Sequence, residues 1–305
     1  MEGIAVIDAD GHILEPVDLW ENYLEDRKYI DLAPTFFDDD EGDQNFSLEG
    51  IVLTKKGGMG LGGRNVHKKW DNSLRNQRWE EQEPGGFNPH SRIADMDKEG
   101  VDGVMLYPTI GLRYTALNDP GLAAALCRAH NKWIADYAKP YPDRLFPVGA
   151  IPLQDTGLAV TELRFVVEEL GFSCVFVRPF QIQGKNLDHP VYFPFWVTEQ
   201  VVGCVVNLLE GGNVHAYNSQ IGRDRFDNWA YIHACSHPME MQMAFMCLAF
   251  GGIFEKYPGL RVSMLESGGG WLPFWLERLD EHKDQLGWII PECKHLPSEY
   301  FRRQC

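Results

Sequence analysis

Basic residues are scarce in this 305-residue sequence: 28 lysines and arginines face 44 aspartates and glutamates, for a formal net charge of −16 and a pI near 5.0. Nucleic acid and anionic membrane surfaces both demand a basic face, so neither is an expected partner. No apolar run reaches the roughly 18 residues of a membrane span, and Met1-Glu2-Gly3-Ile4-Ala5-Val6 has no basic leader followed by a long apolar stretch. The seven cysteines, at 127, 174, 204, 235, 247, 293 and 305, are odd in number and contain no CxxC pair. That excludes a disulfide framework and reads as buried thiols in a reducing cytosol, so the expected location is cytoplasmic. A GxSxG elbow, a complete Walker loop and a recognisable cysteine nucleophile are all missing, which removes the commonest serine and cysteine hydrolase designs. What is present is globular: 44% of residues are hydrophobic and 24% charged. At roughly 150 residues per domain the length suits two domains or one large barrel or sandwich.

Short, apolar, β-branched segments recur at 4–7, 101–107, 145–151, 174–177, 204–208 and 260–265. Their hydrophobicity is continuous rather than alternating, the mark of strands covered on both faces in a parallel sheet. Between them lie stretches of helical period at 121–139, 158–170, 238–257 and 272–286; in the first, Leu122, Ala125, Leu126, Ala129 and Trp133 share a face. About six strand–helix units therefore predict an α/β protein, either an open doubly wound sheet or a barrel. Residues 26–88 break the pattern as a polar, aspartate- and glycine-rich insertion after the first strand. Within it Gly58-Met59-Gly60-Leu61-Gly62-Gly63 matches G-x-G-x-x-G, but the basic run Arg64-Asn65-Val66-His67-Lys68-Lys69 follows instead of an apolar helix. A flexible lid or a disordered loop fits this context better than a dinucleotide site.

Asp10 and His12 stand two apart beside the first strand, so both can project from one side of a sheet. A carboxylate and an imidazole so placed can supply two ligands for a divalent metal, but spacing alone favours a turn in which Asp8 and Asp10 cap backbone amides and His12 packs locally. Glu210 follows the apolar run 204–209 and precedes two glycines, and Glu266 repeats that arrangement before Gly268, Gly269 and Gly270. Carboxylates at such strand ends line active sites or are solvated charges. His237 precedes Pro238, which places it at or just before a helix start, as a cap or as an acid–base group of suitable pKa. Arg178 ends the fourth strand, where it can grip a substrate carboxylate or serve a structural ion pair.

Four motifs in chain order carry a resemblance. They are Asp8-Ala9-Asp10-Gly11-His12-Ile13-Leu14-Glu15-Pro16, then Arg92-Ile93-Ala94-Asp95-Met96-Asp97-Lys98-Glu99-Gly100-Val101-Asp102, Gly251-Gly252-Ile253-Phe254-Glu255-Lys256-Tyr257-Pro258, and Leu265-Glu266-Ser267-Gly268-Gly269-Gly270-Trp271-Leu272-Pro273. Together they resemble the amidohydrolase-related family, the branch of the amidohydrolase superfamily that contains aminocarboxymuconate semialdehyde and γ-resorcylate type decarboxylases. The resemblance implies one distorted TIM (β/α)8-type barrel over 1–305, with a divalent metal (zinc, iron or manganese) at its C-terminal mouth. It implies Asp10 and His12 as metal ligands and an active-site role for Glu266. Two departures stand out: the fifth-strand position at which relatives place a histidine holds Leu209, flanked by Glu210, and no Ser-Asp-Tyr-Pro-like motif with its aspartate is present. With only about six units evident, a shortened version of a longer protein is expected, ahead of completion by dimerisation or a rearranged site using Glu210, Glu266 and His237.

The leading functional expectation is a metal-dependent hydrolase that cleaves an amide, ester or thioester of a small organic acid. The metal would be held by Asp10, His12, Glu210 and Glu266, with His237, Glu266 and Arg178 as catalytic groups. The alternative is non-oxidative decarboxylation of an aromatic or unsaturated carboxylic acid, and a third reading is a non-catalytic relative with a degraded metal site. A small-molecule substrate and a homodimer complete the expectations.

Overall fold

Aspartates and a glycine are poor strand formers, yet Ile7–His12 is strand β1, because β5 (Gly103–Tyr107) offers it a parallel ladder. A computed structural model describes residues 5–40, 42, 44–53, 78–79, 82–209 and 221–305. The glycine motif at 58–63 and Glu210 lie outside them. The described chain separates into two compact units, 1–150 and 151–305.

In the first unit β1 leads to α1 (Leu19–Tyr23), then to an antiparallel meander of β2 (Thr35–Asp38), β3 (Gln44–Leu48) and β4 (Ile51–Leu53). This meander occupies part of the segment whose sequence shows no period: β3 is buried at four of its five positions, so alternation is absent. Helix α2 (Pro89–Glu99) starts on Asn88, whose side chain accepts the His90 and Ser91 amides, and stops at Gly100 in the left-handed region. After β5, helix α3 (Pro120–Ala138) is capped by Asp119 and buries Leu122, Leu126, Ala129 and Trp133 of the stripe expected of it, with Ala125 half-buried. Each fully buried leucine there contributes about 1.5–3 kcal/mol. The segment 145–151 is divided into β6 (Leu145–Pro147) and β7 (Gly149–Ala150), and the parallel order is β1-β5-β6.

The second unit opens with α4 (Thr156–Arg164), followed by β8 (Cys174–Val177), α5 (Phe193–Val202) and β9 (Val205–Leu208). Helices α6 (Trp229–Phe250) and α7 (Ile253–Lys256) come before β10 (Val262–Met264), and α8 (Leu272–Leu286) and α9 (Pro297–Gln304) follow it. Strands β8, β9 and β10 are parallel, and their register sets Val177, Leu208 and Met264 in one row. The residues that leave the sheet at its C-terminal edge are therefore Arg178, Leu209 and Leu265, with Glu266 one further.

Parallel strands alternating with helices confirm the α/β class. The count of six units is not confirmed, and no closed barrel is present among the described residues. The start expected for α6 is corrected: the helix begins nine residues before Pro238 and runs through it, with Asn228 as its cap. A proline inside a helix removes one backbone bond, and here tertiary burial of Met241, Phe245 and Leu248 outweighs that loss. Among the described residues no helix is long and apolar enough to cross a membrane. All seven cysteines are free thiols; burial pushes Cys174 up to about 11 and Cys204 up to about 12, so neither is a ready nucleophile.

Candidate functional site

A β-bulge shapes the end of β1. Asp8 pairs with Val104 but Gly11 pairs with Leu106, so β1 carries one residue more than β5 between these points, and Asp10 lies in the extra segment. Only glycine fits at position 11, because a Cβ there would come within 2.3 Å of the Val104 side chain. Asp10 and His12 thus leave the strand together: a carboxylate oxygen of the first and a ring nitrogen of the second lie within 4.8 Å of each other. The turn reading is present in the same segment, where the Asp10 amide donates to the Asp8 carboxylate at 3.0 Å.

The His12 ring is held by its other edge. Its Nδ1 lies 2.7 Å from the carbonyl oxygen of Pro108, the residue that follows β5. A carbonyl only accepts, so Nδ1 carries the proton and donates, which makes Nε2 the nitrogen of ligating character. Metal-bound histidines are oriented by this same device. Arg92, from α2, donates to the His12 carbonyl and fixes the backbone as well. A carboxylate plus an imidazole is a donor set suited to manganese, zinc or iron(II).

In the second unit Arg178 is 1% exposed, and its guanidinium carbon lies 4.9 Å from the centre of the Phe180 ring. Leu209, beside it in the strand-end row, is fully buried. Its apolar side chain can ligate nothing, which matches the departure noted in the sequence. Past β10, Glu266 sits at φ +54°, a left-handed conformation that costs a non-glycine residue about 1 kcal/mol. Its carbonyl oxygen lies 3.1 Å from Nδ1 of His237, and the indole of Trp271 donates to the Ser267 carbonyl at 3.0 Å. The turn after β10 is thereby tied to α6. His237 is a mid-helix residue rather than a cap, and the ring of His233, one turn earlier, is centred 4.3 Å from its own.

Three groups escaped notice as functional candidates in the sequence. Glu15 and His130, in the first unit, are both 0% exposed, and Glu199, in α5, is 1% exposed. A charge inside Ile13-Leu14-Glu15-Pro16 and a histidine on the apolar stripe of α3 were the available signals. Neither shows from sequence alone whether the side chain is buried.

Known proteins add further findings. The 2-amino-3-carboxymuconate-6-semialdehyde decarboxylase of Dictyostelium discoideum is 28% identical over 194 residues, covering 64% of this chain and 51% of that protein. The solved structure of an amidohydrolase from Mycobacterium avium subsp. paratuberculosis superposes with a TM-score of 0.75 at 20% identity, covering all of this chain and 83% of that one. A 5-carboxyvanillate decarboxylase from Novosphingobium aromaticivorans, solved with bound manganese, gives 0.66 at 23% identity, covering 99% and 78%. The chain spans about half the length of the first of these and 60% of a curated γ-resorcylate decarboxylase from Polaromonas. The decarboxylase names overturn the expectation of a hydrolase and favour its alternative. A family model described as amidohydrolase matches residues 7–305, so the chain belongs to the amidohydrolase family.

Proposed function

We propose that this chain is a metal-dependent, non-oxidative decarboxylase acting on a small aromatic or unsaturated carboxylic acid. The observation that carries the reading is the Asp10–His12 pair, with the Nδ1 of His12 committed to the Pro108 carbonyl and a carboxylate oxygen of Asp10 within 4.8 Å of its ring nitrogen. The decarboxylases among the similar proteins, two of them solved with manganese, support the reaction type and the metal.

Asp10 and His12 would hold the ion from the end of β1, and the sequence offers Glu266 and Glu210 as further candidate ligands. Two ligands alone hold a metal weakly, so the set needs a third. A bound divalent ion supplies positive charge against a substrate oxyanion. The remaining steps fall to the chain. Arg178 pairs with the substrate carboxylate or a neighbouring phenolate through its fork of donors. The carbon–carbon bond to the carboxylate breaks, carbon dioxide leaves, and the electron pair stays on the ring or alkene carbon. His237, in its imidazolium form, delivers the Nε2 proton to that carbon while Nδ1 stays on the Glu266 carbonyl, and water restores the proton.

The test is to load the purified chain with manganese and incubate it with a panel of hydroxybenzoates and an unsaturated dicarboxylate, measuring released carbon dioxide and product mass. Metal-dependent carbon dioxide release supports the reading. Protein that takes up no metal and releases no carbon dioxide would sink it in favour of a non-catalytic relative, a reading that the buried Leu209 favours.

A further inference from the structure

Glu15 takes no part in the proposed reaction, yet it is fully buried three residues after His12. Its carboxylate accepts three consecutive backbone amides: Oε2 from Thr109 at 3.3 Å and Ile110 at 3.0 Å, and Oε1 from Gly111 at 2.7 Å. Successive N–H groups converging on one anion form a backbone nest, and here the protein supplies its own anion. The same segment is pinned from its other side, where the Thr109 hydroxyl donates to the Ile13 carbonyl at 2.6 Å. Gly111 is required by the fit: a Cβ at this position would stand 2.7 Å from Pro108 Cβ and 2.9 Å from Glu15 Oε1. His130, also buried, has Nδ1 3.7 Å from Glu15 Oε1, too far for a hydrogen bond. The amides are therefore the partners that hold the carboxylate in place. The segment they belong to begins at Pro108, whose carbonyl accepts from His12 Nδ1 at 2.7 Å.

We infer that Glu15 is a positioning residue for His12: by clamping the amides of residues 109–111 it fixes the Pro108 carbonyl, which in turn sets the tautomer and ring plane of the imidazole. Without the clamp the 108–111 segment keeps its covalent path but loses the anchor at its centre. The carbonyl can then drift by the few tenths of an ångström that separate a committed Nδ1–H from a ring free to exchange tautomers. The inference rests on the reading of His12 as a metal ligand, and its test separates the two.

Two variants approach the clamp from opposite sides: Glu15→Gln puts an N–H donor among N–H donors, and Gly111→Ala drives a methyl between Pro108 and the carboxylate. In metal-free, ¹⁵N-histidine-labelled protein at pH 8, wild type should show His12 with the proton on Nδ1, its signal assigned by its loss in His12→Asn. Both variants should show a shifted or averaged tautomer signal while retaining a cooperative melt. Titrated with Mn²⁺ alone and followed by the free-ion paramagnetic signal, they should bind about tenfold to a hundredfold more weakly. A merely structural Glu15 would lower the melting temperature without moving the tautomer. If Glu15→Gln does not fold, Gly111→Ala decides by the same two readouts. Folded variants that keep the Nδ1–H tautomer and bind Mn²⁺ within about twofold of wild type overturn the inference. If wild type binds no Mn²⁺, the metal reading of His12 fails separately, and an unchanged tautomer in the variants still overturns the clamp.

Discussion

His237 donates from Nδ1 to the main-chain carbonyl of Glu266 across 3.1 Å, so one bond joins the middle of a 22-residue helix to the left-handed turn that follows β10. The carbonyl fixes the tautomer, because a neutral imidazole that donates from Nδ1 keeps its acceptor lone pair on Nε2.

His237→Asn keeps a donor near that carbonyl but has no titrating nitrogen. Carbon dioxide release should fall by about 10²–10⁴-fold, the contribution of a positioned acid. Bound manganese and the thermal midpoint should change little. Equal kcat in the variant and wild type, on the substrate that the panel identifies, would remove His237 from the reaction.

Asp10→Ala and His12→Ala each delete one of the paired donors at the end of β1. Elemental analysis should show manganese falling well below one equivalent per chain in both, with far-UV circular dichroism unchanged. Metal content that survives both substitutions would place the ion elsewhere.

Glu199 makes stability depend on pH. Burial pushes its carboxyl from the ordinary 4.5 up to about 8, against the pull of the Arg261 backbone and charge. Between those values the folded chain holds a proton that the unfolded chain has released, so stability is full below about 4.5 and declines as pH rises through 8. The decline amounts to a few kcal/mol at most, at about 1.4 kcal/mol per pH unit. Glu199→Gln should flatten it, which urea midpoints at pH 5.5 and 8.5 would reveal as a smaller difference than in wild type.

His130 acts with the opposite sign. It is fully buried among Glu15, Tyr114 and Trp133, and desolvation pushes its imidazole from 6.5 down to about 3. In that window the unfolded chain binds the proton, so stability is present above pH 6.5 and is lost as pH falls toward 3. His130→Phe should move the acid-unfolding midpoint to lower pH. An unchanged or higher midpoint would show that the imidazole is not the group responsible.

Local signals located much of this architecture. Helix α8 spans 272–286 as its period predicts, and β8 spans 174–177 as its β-branched run predicts, since each carries its pattern within its own residues. The Asp-x-His spacing by itself left the first-strand pair between a turn and a metal pair, and the family resemblance was what pointed to the metal. The start of α6 was not legible, because Pro238 is a local stop signal overridden by burial contributed from elsewhere in the fold.

By itself, the sequence determined the α/β class, the family motifs and the residue types able to bind a metal, all of which depend on composition and short spacing. Only the tertiary structure decided that β1 is bulged against β5, that Leu209 stands in the same strand-end row as Arg178, and that Glu15, His130 and Glu199 are withdrawn from water. Register and desolvation depend on segments that meet across tens of residues: Glu15 and the amides it holds lie 94–96 positions apart. No local pattern encodes such a meeting, and the tautomer of His12 follows from it.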